Sequence, residues 1–317
     1  MTVKIGLALG SGASRGWAHI GVIRALQKYD IHPDVVCGCS VGAIVGAAYA
    51  ASRLDDLESW ATSLTKMEMA KYAGLNFRAG WINKQRLQEG FNQFICEKGA
   101  TFDQLDKPFG CVATDLHTGR EIWFTQGDLQ TGMWASMSLP GLFPPVLHED
   151  KWLVDGGLVN PVPVSMCRSL GADVVIAVDL NGDIVGKHRR PEPGIPKTSP
   201  LPPKPEPEPG AVKKEQPLLD NLRNTVMDYS SSLFAISTAP PEPVAPGFFD
   251  TIAGAVNIMQ DRITRSRMAG DPPEILLSPR LSDIGILEFY RAEEAIQVGY
   301  DVTLQQLEGI RRMVGAF

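Results

Sequence analysis

From residue 3 to about residue 181, short β-branched apolar runs alternate with segments of helical period, a pattern that predicts an α/β sandwich. Strands are expected at Val3–Leu9, Asp34–Cys37, Phe109–Thr114, Glu121–Phe124, Lys151–Val154 and Val174–Asp179. Several of these are apolar without alternation, as befits strands covered on both faces. Helices are expected over Trp17–Lys28, Val41–Ser52, Leu54–Leu64, Gln85–Cys96 and Leu129–Met137. The dipeptide Thr118-Gly119 predicts a turn between neighbouring antiparallel strands, which makes the sheet mixed.

The pattern breaks between Arg189 and Pro217, where prolines recur, as in Leu201-Pro202-Pro203-Lys204-Pro205-Glu206-Pro207-Glu208-Pro209. Such a stretch buries no core and reads as an extended, solvated spacer. A weaker helical pattern follows at Leu218–Ile236, then a second proline-rich break at Pro240–Pro246. Phe248–Met268 is amphipathic: Phe248, Phe249, Ile252, Val256, Met259 and Ile263 share one stripe, expected to cover a core or a dimer contact. A last strand at Glu274–Leu277 and a helical end over Ile286–Val314 complete the pattern. The expectation is one domain over residues 1–317 with a proline-rich loop insert at about 186–217.

Composition narrows this picture little. Hydrophobic residues at 44% and charged residues at 21% suit a soluble globular protein, and a net charge of −6 gives no general attraction to nucleic acid. Five cysteines, Cys37, Cys39, Cys96, Cys111 and Cys167, show no disulfide-framework spacing and read as small buried residues of a reducing compartment. The scattered histidines suggest no metal site. The apolar start Val3–Leu9 lacks a signal-peptide pattern, and Val41–Ala51 is too short to span a bilayer. The protein is expected to be soluble and cytoplasmic, with any membrane contact peripheral, at the inner face.

Candidate chemistry is concentrated in three segments. Gly38-Cys39-Ser40-Val41-Gly42 is a G-x-S-x-G pentapeptide placed between a strand and a helix, as a nucleophile elbow requires. Gly10-Ser11-Gly12-Ala13-Ser14-Arg15-Gly16 follows the first strand and precedes a helix, so its N–H groups could hold a phosphate or an oxyanion. Dinucleotide binding would want an acidic residue at the end of the second strand; Cys37 stands there, which favours the oxyanion. None of His19, His32, His117, His148 and His188 lies in a serine-hydrolase context as a base for Ser40. Asp155 ends the run Trp152-Leu153-Val154 before Gly156-Gly157 and is the better candidate for a base, its carboxylate turned toward a neighbouring loop, although spacing alone favours a strand-end turn aspartate. Asp115 reads as a strand-to-turn cap, Pro140 as a loop-shaping residue and Cys39 as a side chain packed under the elbow.

Taken in order, Gly10–Gly16 with Arg15-Gly16, the Ser40 pentapeptide and Asp155-Gly156-Gly157 resemble the patatin-like phospholipases, and among them the bacterial RssA-like branch of NTE-type serine hydrolases. Ala135-Ser136-Met137-Ser138-Leu139-Pro140-Gly141 and Arg267-Met268-Ala269-Gly270-Asp271-Pro272-Pro273 add to the resemblance, which spans most of the chain outside the proline-rich segment. It implies a three-layer α/β/α fold around a mixed, mostly parallel sheet. It also implies a Ser–Asp dyad without histidine, with Ser40 as nucleophile and Asp155 as general base and later acid. The Gly10–Gly16 loop then corresponds to the oxyanion hole, with Gly12 and Ala13 as favoured donors. Arg15 either helps hold the loop or pairs with a structural carboxylate. One departure is that a strict glycine triplet would read through Ser11-Gly12-Ala13, where only Gly12 is glycine; Ala13 still offers an N–H, but its Cβ restricts its dihedrals.

The resulting expectation is a serine acyl-ester hydrolase acting on phospholipids or lysophospholipids with water as second substrate and no cofactor. Thioesterase or broad carboxylesterase activity, and a weakly active regulatory or scaffold protein, are the alternatives. Tyr72-Ala73-Gly74-Leu75-Asn76-Phe77 and the Phe248–Met268 stripe are candidate lipid-facing surfaces.

Overall fold

A computed structural model of the chain describes residues 3–72, 84–184 and 248–315. The proline-rich stretch, the Leu218–Ile236 pattern, His188 and residues 73–77 lie outside the described residues. Contacts divide the chain into two units, Met1–Arg189 with Ala255–Phe317, and Arg190–Gly254.

The first unit is built on one sheet of eight strands: β1 (Ile5–Leu9), β2 (Val35–Cys39), β3 (Phe109–Asp115), β4 (Glu121–Phe124), β5 (Val146–His148), β6 (Lys151–Asp155), β7 (Val174–Val178) and β8 (Ile275–Leu277). Their order is β5-β6-β3-β2-β1-β7-β8, with β4 also on β3. The β1–β2, β1–β7, β2–β3 and β7–β8 pairs are parallel, while β3–β4, β3–β6 and β5–β6 are antiparallel. The sheet is therefore mixed and mostly parallel, and the turn at Thr118-Gly119 joins β3 to β4.

Central strands are buried on both faces, which is why their sequences do not alternate. On one side Leu7 and Leu9 pack into the main core with Ile20, Ile23 and Leu26 of helix α1 (Ala18–Lys28) and Val45 of helix α2 (Val41–Ala50). Leu57, Leu129 and Ala295 from helices Leu54–Ser63, Leu129–Met137 and Ala292–Gln305 join the same cluster. On the other side Ala8, Val35 and Cys37 meet Met166 and Cys167 of the short helix Val164–Ser169, with Met268 packed alongside. These layers give the α/β/α sandwich.

Differences from the sequence reading have local causes. β2 continues through Gly38 to Cys39 because both residues pair with β3. β5 is three residues long and pairs with β6 alone, too short to leave a periodic signal. The helical end breaks at Gln306, between Ala292–Gln305 and Leu307–Val314, where the Gln306 side chain donates to the Leu276 carbonyl of β8 at 3.1 Å. Most consequential is the helix Phe248–Gly270. Gln260, Asp261 and Thr264 on its polar face are buried, while Ile258 and Met259 are exposed, so of the stripe Val256 and Ile263 are half-buried and Met259 lies off the core. Among the described residues no helix is long and apolar enough to cross a membrane.

Candidate active site

The register of β3 brings the two chemically interesting segments together. On one edge of β3, Val112 and Ala113 pair with Trp123 and Ile122 of β4. On its other edge, Val112 pairs with Cys39, the last residue of β2, and Ala113 with Asp155, the last residue of β6. β2 runs parallel to β3 and β6 antiparallel, so the two strands meet end to end along one edge. Ser40, next after Cys39, and Asp155 are delivered to the same point.

Ser40 has φ 55° and ψ −123°, a conformation sparsely populated by residues with a Cβ. The flanking glycines make room for this sharp turn. A Cβ on Gly38 would stand 2.3 Å from the Gly42 carbonyl oxygen, and one on Gly42 would stand 2.2 Å from that of Leu9. Both clashes are with backbone, which cannot step aside. The Ser40 N–H donates to Ser136 Oγ at 2.9 Å, and the Ser40 carbonyl accepts from Ala43 N–H at 2.9 Å as α2 begins. Ser40 thus caps the N-terminus of a wholly buried helix, where the dipole favours negative charge.

Asp155 is 1% exposed. Its Oδ1 accepts the Gly157 N–H at 2.7 Å, its N–H donates to the Ser138 carbonyl at 3.0 Å, and its carbonyl accepts Thr114 Oγ1 at 2.8 Å. Oδ2 has no well-aligned hydrogen-bond partner. Burial pushes the carboxyl pKa up to about 6, held back by the nearby Ser40 hydroxyl and by Gly157 N–H. A buried carboxylate with one unsatisfied oxygen is a site of raised proton affinity beside a serine.

In the glycine-rich loop, Gly10 N–H donates to Val178 O, Ser11 N–H to Pro161 O, Ser14 N–H to Ile286 O and Arg15 N–H to Gly12 O. Those bonds account for the neighbours of Gly12 and Ala13, and Ala13 lines the same cavity as Ser40. Ala13 has φ 50°, the conformation that the missing glycine would have made easy. Replacing Ala13 by Gly is expected to raise stability by about 0.5–1 kcal/mol in chemical denaturation, and Ala13→Val to lower it, because the left-handed region penalises a Cβ and a branched one more. Arg15 is buried, donating from Nε to Gly12 O at 3.2 Å and from a terminal nitrogen to Asn257 Oδ1 at 3.1 Å. Among the described residues no carboxylate lies at ion-pairing distance from it. Burial lowers its pKa to about 10, partly offset by Asp183 and Asp179, so it stays charged at neutral pH.

Of the remaining candidates, Asp115 caps its turn, accepting from His117 N–H at 2.9 Å and Thr118 N–H at 3.3 Å. His19 is wholly buried, with Nε2 2.8 Å from Gly10 O, and burial pushes its pKa down to about 4. It is a neutral partner of the glycine loop. The five cysteines are buried and unpaired with one another. Sequence reasoning assigned no role to Ser136 and Ser138; the first bonds the Ser40 N–H, and the second offers its carbonyl to Asp155, with its own Oγ on Trp134 O at 2.6 Å. Small hydroxyls in a helix end carry no distinctive pattern, so only the packing reveals them. Among the described residues no group of three His, Cys, Asp or Glu side chains converges to hold a metal ion.

A cavity of about 100 Å³ opens beside Ser40. Trp17, Trp60, Leu64, Phe91, Leu142, Phe143 and Phe289 form much of its wall, and Ser40 and Tyr72 bring its hydroxyls. Edge-to-face packing of Trp17 on Trp60 and on Phe289, at 6.1 and 6.0 Å, stiffens that wall. The chamber suits an apolar chain with its polar end at Ser40.

Comparison with known proteins places the chain in a family. The family profile described as patatin-like phospholipase matches residues 7–168, from β1 through the helix after β6. An uncharacterized NTE family protein of Mycobacterium tuberculosis is 32% identical over 339 residues, covering 96% of this chain and 91% of its own. A protein named lysophospholipase NTE1 from Pyricularia oryzae is 27% identical over 97% of this chain, which spans 19% of that longer protein. Among solved structures, VipD from Legionella pneumophila aligns over 97% of this chain and 67% of its own, with TM-score 0.44 and 12% identity. By the extent of the profile match and by its mycobacterial relatives, the chain belongs to the patatin-like phospholipase family, in its NTE-type group.

Proposed function

We propose that this member of a lipid acyl hydrolase family cleaves fatty-acyl esters of phospholipids or lysophospholipids through Ser40 and Asp155. The observation that carries the proposal is the end-to-end meeting of β2 and β6 on β3, which sets a strained serine beside a buried carboxylate of raised pKa at the mouth of an apolar cavity. The names of the fungal relatives support the lipid class. The same reading takes the chain as one hydrolase domain interrupted by the proline-rich segment at about 186–217.

With the acyl chain in the cavity, Ser40 Oγ attacks the ester carbonyl carbon as its proton passes to Asp155. The carbonyl oxygen becomes an oxyanion, held by the N–H groups of Gly12 and Ala13 with Arg15 bracing their loop. Collapse expels the alcohol, which takes the proton from Asp155 and leaves an acyl-Ser40 ester. Water then attacks that ester while giving a proton to Asp155; on collapse the fatty acid departs and Ser40 Oγ recovers the proton. A serine hydroxyl is far less acidic than a carboxyl, so proton transfer and bond formation proceed together. The buried carboxylate and preorganised donors narrow that mismatch.

A fluorophosphonate probe should place one phosphonyl group on Ser40, mapped by peptide mass spectrometry. The labelled enzyme should no longer hydrolyse lysophospholipid. Label at another residue, with hydrolysis intact, would refute the assignment. Parallel assays with an acyl thioester and a short aryl ester show whether the leaving group matters: comparable kcat/KM on all three would make the enzyme a broad esterase instead.

A further inference from the structure

Resting on the oxyanion-hole reading of the Gly10–Gly16 loop, we infer that Gln260 is a positioning residue that fixes this loop against the Asp155 turn. Gln260 belongs to the helix Phe248–Gly270 and is 5% exposed. Its Oε1 accepts Ser11 Oγ at 2.9 Å and Asn181 Nδ2 at 3.1 Å. On its other side it lies against Gly157, where a Cβ would stand 2.3 Å from Gln260 Nε2. Gly157 is the residue whose N–H holds Asp155 Oδ1. One side chain therefore touches both the loop that carries the oxyanion donors and the turn that orients the base.

A second contact from the same helix face reinforces the first. Asn257, three residues earlier, accepts from Arg15, whose Nε holds the Gly12 carbonyl. The helix thus grips the loop at Ser11 and, through Arg15, at Gly12. Its orientation agrees: the polar face is turned inward although this leaves Ile258 and Met259 exposed. Apolar burial would have chosen the opposite rotation. A neutral amide suits the position because Asp155, Asp179 and Asp261 are also buried in this part of the unit, and a carboxylate would add like charge to a dry site.

The test uses the full chain with Gln260→Leu, Ser11→Ala and the double variant, reading kcat and KM on a short acyl ester together with thermal midpoints. Displacing oxyanion donors weakens transition-state binding, so Gln260→Leu is expected to lower kcat about 10- to 100-fold with KM changed less than about threefold. Ser11→Ala should lower kcat about five- to tenfold, and the double variant should be no slower than Gln260→Leu, since both break one linkage. Gln260→Glu keeps the acceptor for Ser11 and Asn181, so above the acidic limb of the rate profile it should lose clearly less kcat than Gln260→Leu, and the absence of that rescue would count against the positioning role. A folded Gln260→Leu with kcat within about twofold of wild type, or losses that multiply in the double variant, overturns the inference. If Gln260→Leu does not fold, an unaltered kcat in Ser11→Ala overturns it equally. Wild-type labelling at Ser40 separates the two levels: without it the underlying reading fails, and with it only the Gln260 assignment is at stake.

Discussion

Ser40→Ala is expected to lower kcat for lysophospholipid hydrolysis by about 10³-fold or more and to eliminate fluorophosphonate labelling, because it removes the hydroxyl on which the proposed acyl-enzyme forms. The variant should fold. Its methyl group occupies the same strained turn, with φ near 55°, and the Ser40 N–H bond to Ser136 is made by backbone and survives. Ser40→Gly sharpens the test. Glycine adopts positive φ without penalty, so this variant should lose activity yet gain about 1 kcal/mol of stability in denaturant unfolding. Loss of activity joined to gain of stability would mark the elbow as strained for function. Residual hydrolysis near the wild-type rate in either variant would remove Ser40 from the mechanism.

Asp155→Asn should reduce kcat/KM by about 10²- to 10⁴-fold, the span usual for loss of a general base, while leaving the fold intact. An amide retains the volume and can still accept from Gly157 N–H, but it takes no proton. In the wild type, activity should rise with pH through about 6, the pKa to which burial raises Asp155, because the base works only when ionised. Stability runs the other way. The folded-state pKa lies above the unfolded value of about 3.9, so the folded protein binds the extra proton between those limits and its stability falls as pH rises from about 4 to 6. Ionising this buried carboxyl costs roughly 3 kcal/mol at neutral pH, and Asp155→Asn should recover part of that. Midpoints measured at pH 5 and pH 8 should accordingly converge in the variant. An acidic limb that persists unchanged in Asp155→Asn would assign the titration to another group.

Much of this could be read in the chain because its signals are local. The apolar runs at β1, β2, β3 and β7 announce buried strands, and a glycine–serine turn between strand and helix announces an exposed hydroxyl. Asp155 could be seen as the end of a strand, yet its neighbourhood to Ser40 follows from pairing with Ala113, a long-range fact that no spacing encodes. Family resemblance supplied that link. Ser136 and Gln260 were hidden for the same reason: each is tied by hydrogen bonds to segments distant in the chain. In the helix Phe248–Gly270 the stripe reads as a core or dimer contact, and nothing along the sequence announces that Gln260, Asp261 and Thr264 are the residues it buries.

Because β2 and β6 abut on a shared neighbour without pairing to each other, Ser40 and Asp155 are set side by side by adjacent rungs of β3. The connection between β4 and β5 also bears on it, since Ser136 holds the Ser40 N–H and the Ser138 carbonyl holds the Asp155 N–H. Natural or engineered lengthening of connections that make neither contact can reshape which molecule enters while Ser40 and Asp155 keep their places. A chain opened between β2 and β3 and supplied as two pieces has to rebuild both the β2–β3 and the β1–β7 pairings to become whole again.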